Sequence, residues 1–232
     1  MAAVWCKRMT TYEVMKMTEN FISTGYTELD KLLDGGFKKG ELIIIKENSP
    51  DFSDPSNIAI NIAENMFTAG KSVLFLSFAS TEEVVIERMK TFWENHARED
   101  KSHHFLLEDY ERTFSYFKDS ITFNKAADNI KCVFVDGLNY FASIYDNDGD
   151  YVESYVSAYV LKKIAKNKNI PIVATINNES YLPNIEHIDQ TADIIISLSN
   201  SFNSEIQITV DKRRPATITL KADWPNWRFE NV

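Results

Sequence analysis

Glycine is scarce in this sequence, at 7 of 232 residues, about 3% where roughly 7% is ordinary. The seven are Gly25, Gly35, Gly36, Gly40, Gly70, Gly137 and Gly149, so residues 41 to 69 contain none. Cysteine is scarcer still, with Cys6 and Cys132 alone, and Cys132 lies inside an apolar run. That excludes a disulfide framework and fits reduced thiols in a cytoplasmic protein. Long hydrophobic runs are absent, with nothing near the roughly 18 apolar residues of a membrane span. The opening MAAVWCKRMTTYEVMKM lacks the apolar core and small-residue cleavage site of an export signal. Positive charge is in deficit too: 25 basic against 34 acidic residues give a net charge of −9. Coating nucleic acid or an anionic membrane through bulk charge is excluded, which leaves room only for a local basic site.

What is present is an ample supply of core residues, 44% hydrophobic, enough for one large domain. No repeat, low-complexity tract or Pro/Ser-rich linker divides the chain, so the reading is an arm over residues 1–20 and one domain over 21–232. Strands are expected at 40–47, 71–78, 131–136, 171–176 and 193–199, all near-continuous Val/Ile/Leu/Phe runs of the kind buried on both faces of a parallel sheet. Segments 205–212 and 216–222 alternate instead, and read as an antiparallel hairpin at one sheet edge. Helical patterns at 56–69, 81–95 and 151–167 are long enough for crossovers, which makes the class α/β. A further helix is expected at 10–20, capped by Thr10 or Thr11.

Taken in order, STGYTELDKLLDGGFKKGELIII, NIAINIAENMFTAGKSVLFLS, VFVDGLNY, PIVAT, DQTADIIISLS and the closing ITVDKRRPATITLKADWPNWRFENV resemble the RecA-like motor domain of the DnaB-type replicative helicases. KaiC and RadA are more distant relatives. The resemblance covers about residues 20–232. It implies a RecA-like P-loop NTPase fold, with a central, mostly parallel sheet flanked by helices and a C-terminal antiparallel edge hairpin.

The resemblance also says where chemistry should lie, and the residues found there are poor in it. Anchored on the helix that follows, Asp54-Pro55-Ser56 stands where the family carries Gly-Lys-Thr. Only the hydroxyl of Ser56 survives. Asp54 before Pro55 is also a strong helix start, an N-cap carboxylate followed by proline at the first helical position. A phosphate would want that helix end, but Asp54 repels it and Pro55 offers no N–H. The general-base position at the end of the next strand holds Ala79, while Glu82 and Glu83 read as first-turn residues suited to the helix dipole. Asp136 matches the magnesium-holding carboxylate, although an Asp before Gly137 is equally an ordinary turn former. Asn177 stands at the family's polar sensor position.

Lys212 and Arg214 match the basic finger that the family inserts into a neighbouring subunit's ATP site, with a solvated edge strand as the plain alternative. The strand-tracking loop carries Pro183, Asn184 and Glu186, and the loop after Asp136 is acidic, which disfavours a phosphate backbone. Lys162, Lys163, Lys166 and Lys168 read as a solvated helix end. Trp224 and Trp227 flank Pro225 and read as packing residues.

The leading expectation is a catalytically silent member of this fold, a structural or regulatory partner in DNA replication or recombination. No catalytic residue, metal or cofactor is expected, and ATP and Mg binding should be weak or absent. Ser56, Asp136 and Asn177 are vestigial; Lys212 and Arg214 act in trans. The partner is a RecA-fold protein, either further copies of the chain or an intact paralogue, with DNA binding weak or indirect and no membrane. Two rival readings are an active ATPase or helicase subunit in which Lys46 or Lys71 replaces the missing lysine, and a single-stranded DNA-binding module without ATPase activity.

Overall fold

The computed structural model describes residues 20–48, 55–90, 105–109, 129–143, 154–177, 185–201, 204–211 and 215–232. The arm helix expected at 10–20, together with Asp54, Lys212 and Arg214, lies outside the described residues.

A short antiparallel ribbon, β1 (Phe21–Ile22) with β2 (Phe37–Lys38), brackets helix α1 (Thr27–Leu32). The apolar runs then form β3 (Leu42–Glu47), β4 (Ser72–Ser77), β6 (Ile130–Asp136), β7 (Ile172–Ile176) and β8 (Ile194–Ser201), joined by β5 (Phe105–Asp109). All six are parallel to one another. The C-terminal segment adds β9 (Glu205–Asp211), β10 (Ala216–Asp223) and β11 (Arg228–Asn231) as antiparallel strands, giving the order β11-β10-β9-β8-β3-β7-β6-β4-β5. The expected edge hairpin is thus a three-stranded extension, since β11 folds back on β10.

Burial on both faces explains the lack of alternation in the parallel strands. Ile43, Ile45, Val73, Phe75, Phe134 and Val173 face one layer with helices α2 (Pro55–Thr68) and α3 (Glu82–Arg88). Ile44, Leu74, Leu76, Val135 and Ala174 face the other, with α4 (Ser154–Lys168) and α5 (Ile185–Thr191). Each such side chain contributes roughly 1.5–3 kcal/mol of burial. The chain leaves β3 through α2 toward β4 on one side, whereas β8 joins the other side of β3. The carboxyl end of β3 is therefore a topological switch point, the place where open α/β sheets bind ligands.

The C-terminal Arg-Phe-x-Asn locks this layer from outside. The Arg228 guanidinium pairs with the buried Glu64 carboxylate of α2. Asn61 donates from Nδ2 to the Trp227 carbonyl at 2.8 Å and accepts the Phe229 N–H at 3.3 Å, and Asn231 Oδ1 accepts the Thr27 N–H at the start of α1 at 3.1 Å. Burial outweighs the attraction of Arg228 and pushes the Glu64 carboxyl from its ordinary 4.5 up to about 7. A carboxyl raised in the folded state keeps its proton there after the unfolded chain has lost it. Its contribution to stability is therefore complete below pH 4.5 and is lost as pH rises through about 7, a change of roughly 3 kcal/mol. Glu64→Gln should remove that slope, read as urea midpoints at pH 5 and pH 8. A variant whose stability falls with pH as steeply as the parent's would contradict the assignment.

Candidate functional site

At the switch point, the N-terminus of α2 meets the carboxyl ends of β6 and β7. Asp136, the last residue of β6, is 1% exposed, as are Ser56 and Thr175. Its Oδ1 accepts the Ser56 hydroxyl at 2.5 Å and the Thr175 hydroxyl at 2.7 Å. Asn177 donates from Nδ2 to Ser56 Oγ at 3.0 Å, and its own N–H goes to Asn139 Oδ1 at 3.1 Å. The Gly137 N–H closes the network on Thr175 Oγ1 at 2.8 Å. A side chain is barred at Gly137, where φ is +89° and a Cβ would stand 2.7 Å from the Tyr140 ring and 3.0 Å from Ala79. The structure thus gathers Ser56, Asp136 and Asn177, three positions singled out in the sequence, and sets Ala79 beside Gly137. Thr175 was missed, although it sits two residues before Asn177 and so on the same face of β7.

Elsewhere at this edge the positions are chemically quiet. Ala79 has no titratable group. Glu82 and Glu83 lie in the first turn of α3. The exposed Glu83 carboxyl is held below its ordinary range, first by its own backbone N–H and then by the Thr81 hydroxyl. A base poised near neutrality needs the opposite shift.

The two candidate replacement lysines are both placed away from a phosphate. Lys46 Nζ lies 2.9 and 3.2 Å from the two carboxylate oxygens of Asp189 on α5, with the lysine 9% exposed. Lys71 precedes β4 and so stands at the amino-terminal edge of the sheet, about 20 Å from Ser56 at the rise of a strand.

The donor set therefore fits the nucleotide of this fold only in part. A hydroxyl and a carboxylate in contact, Ser56 and Asp136, are what a magnesium ion would require. The phosphate side does not fit: α2 opens on Pro55, which has no N–H, and no lysine follows it. Among the described residues, no group of three or more His, Cys, Asp or Glu is arranged to hold a metal ion.

No family model matches the chain, and no curated protein does. Solved structures do. The chain is similar to the ATPase domain of G40P, at 18% identity over 95% of both chains, with a TM-score of 0.71. It is similar to a KaiC-like protein from Pyrococcus horikoshii, at 14% identity over 91% of this chain and 98% of that one, TM-score 0.68. It is also similar to the RadB recombinase, at 19% identity over 91% and 100%, TM-score 0.62. By its sheet order and its likeness to these structures, the chain has the RecA-like fold.

Proposed function

We propose that this chain is a catalytically silent RecA-fold protein, a structural or regulatory partner in DNA replication or recombination that assembles with RecA-fold subunits. Those subunits are its own copies or an intact paralogue. The observation that supports the reading is a RecA-type site impaired on its phosphate side. That site, Ser56 and Asp136 without a phosphate lysine, is at the carboxyl edge of the sheet. The strands that lead into Lys212 and Arg214 leave the sheet at the other edge: Asp211 pairs with Ile195, near the start of β8, and Ala216 pairs with Val210. In this reading Lys212 and Arg214 serve as a basic finger on another subunit's nucleotide, and such a finger needs no site of its own.

Similarity to a protein named as a recombinase supports the process. In this reading ATP and magnesium are not cofactors, and the loops at the carboxyl edge contact DNA weakly. A cytoplasmic location agrees with the free, buried Cys132 thiol, whose ionisation burial pushes up, and no helix among the described residues is long and apolar enough to cross a membrane.

The Ser56–Asp136 contact also favours a second reading, an ATP-dependent helicase subunit with an atypical phosphate loop. Light scattering of the full chain, with recovery of its complexes from the native cell, tests the assembly. A higher-order species or a RecA-fold partner is expected. A strict monomer at tens of micromolar with no such partner would overturn the proposal.

A further inference from the structure

The amino-terminal edge of the sheet carries a charge that the whole chain does not. Lys38 and Lys39 lead into β3, Lys166 lies near the end of α4 ahead of β7, Lys131 is at the start of β6, and Lys71 immediately precedes β4. Strands β3, β7, β6 and β4 are consecutive neighbours, so the row is about 14 Å wide at ordinary strand spacing. Gly40 brings the Lys38–Lys39 end close to its neighbour in the row, since a Cβ there would lie 3.8 Å from Lys166 Cα. The register shift between β4 and β6 at Ser72/Val73 leaves Lys131 exposed between the buried Ile130 and Cys132.

Helix α4 continues the row on its outer face. Tyr159, Lys163 and Lys166 follow one another at helical spacing, Tyr159 is 52% exposed, and the Lys163 ammonium sits 4.5 Å from the Tyr159 ring centroid. Lys38, Lys39, Lys71, Lys131, Lys163 and Lys166 have no carboxylate partner among the described residues. Of the carboxylates nearby in the chain, Asp193 ahead of β8 pairs with Lys162 at 2.8 Å, and Glu41 ahead of β3 has Oε2 buried. In a chain of net charge −9, six lysines on one side with no counter-charge among the described residues, next to an exposed aromatic ring, match a polyanion that also offers flat bases.

We infer that this edge and the outer face of α4 form a docking surface for single-stranded nucleic acid, held through its phosphates and by stacking on Tyr159. It is separate from the impaired nucleotide edge and does not depend on the assembly proposed above.

Fluorescence anisotropy of the full chain with a labelled oligodeoxythymidylate, titrated with salt, tests it. Six phosphate contacts to a single strand give a log–log salt slope of roughly −4, a loss of about 300-fold in affinity between about 50 and 200 mM salt. Binding should therefore be readily measured at low salt and weak near physiological salt. The triple variant Lys71→Gln, Lys131→Gln, Lys166→Gln should halve the slope to roughly −2 and weaken low-salt binding at least tenfold. Tyr159→Ala should weaken it about five- to tenfold with the slope unchanged. No binding at low salt, or an unaltered slope in the triple variant, would overturn the inference. So would loss of binding on changing Lys212, Arg213 and Arg214 instead, or equal competition by duplex DNA or polyglutamate.

Discussion

Changing Lys212 and Arg214 to alanine is expected to lower the ATPase rate of an assembly that contains an intact RecA-fold partner by a factor on the order of 10³, the lower end of what a basic finger supplies to phosphoryl transfer. The charge that develops on the transferring phosphoryl group must be met by donors already in place. In this fold one protomer supplies the phosphate cradle and the next supplies the finger. In sequence, Lys212 and Arg214 fall between Asp211 of β9 and Ala216 of β10, both of which are held in the ladder. The isolated variant should melt with its parent if the pair acts only in trans. An unchanged rate in the mixed assembly, with the complex still formed, would reduce the pair to a solvated edge.

How much of this was legible in the sequence varies with how local the cause is. The buried parallel strands were readable because two-sided burial writes an unbroken apolar run, as in LIIIKE or SVLFLS. Strand β11 was not, because Arg-Phe-Glu-Asn has one buried residue, Phe229, and becomes a strand only by pairing with β10 and hydrogen-bonding to Asn61. Asn61 and Glu64 read as ordinary polar helix positions for the same reason, since their partners Trp227 and Arg228 lie over 160 residues away. Of the two tryptophans read as packing residues, Trp224 packs edge-on against Phe229 at 5.8 Å, whereas Trp227 is 42% exposed beneath the Arg88 guanidinium.

At the site, Ser56 and Asp136 could be placed because the helix after the loop and the strand before Gly137 keep their spacing without the loop's chemistry. Thr175 was hidden by its type: a β-branched residue inside a strand looks like sheet filler, and only the pairing of β7 with β6 shows that its hydroxyl is spent on Asp136. The engagement of Lys46 by Asp189 was invisible for a similar reason, because α5 reaches β3 only in the folded chain.

The full chain should bind ATP with magnesium more weakly than about 1 mM, less than roughly 4 kcal/mol of binding free energy. Affinity for a triphosphate in this fold comes from backbone N–H groups wrapped around it, a lysine on the terminal phosphates and the dipole of the following helix. Residues 41 to 69 have no glycine to wrap with. Pro55 removes a donor at the head of α2, and Asp54 places a carboxylate next to it in sequence. Lys46 is spent on Asp189, and Lys71 is at the far edge. What remains, the Ser56–Asp136 pair, can meet a metal but not the negative charge of the phosphates. Isothermal titration calorimetry of the full chain with ATP and magnesium, with Ser56→Ala as the control for the site, is the most direct measurement. No saturable heat is expected from either protein, whereas one-to-one binding at micromolar affinity that Ser56→Ala abolishes would show a working nucleotide site.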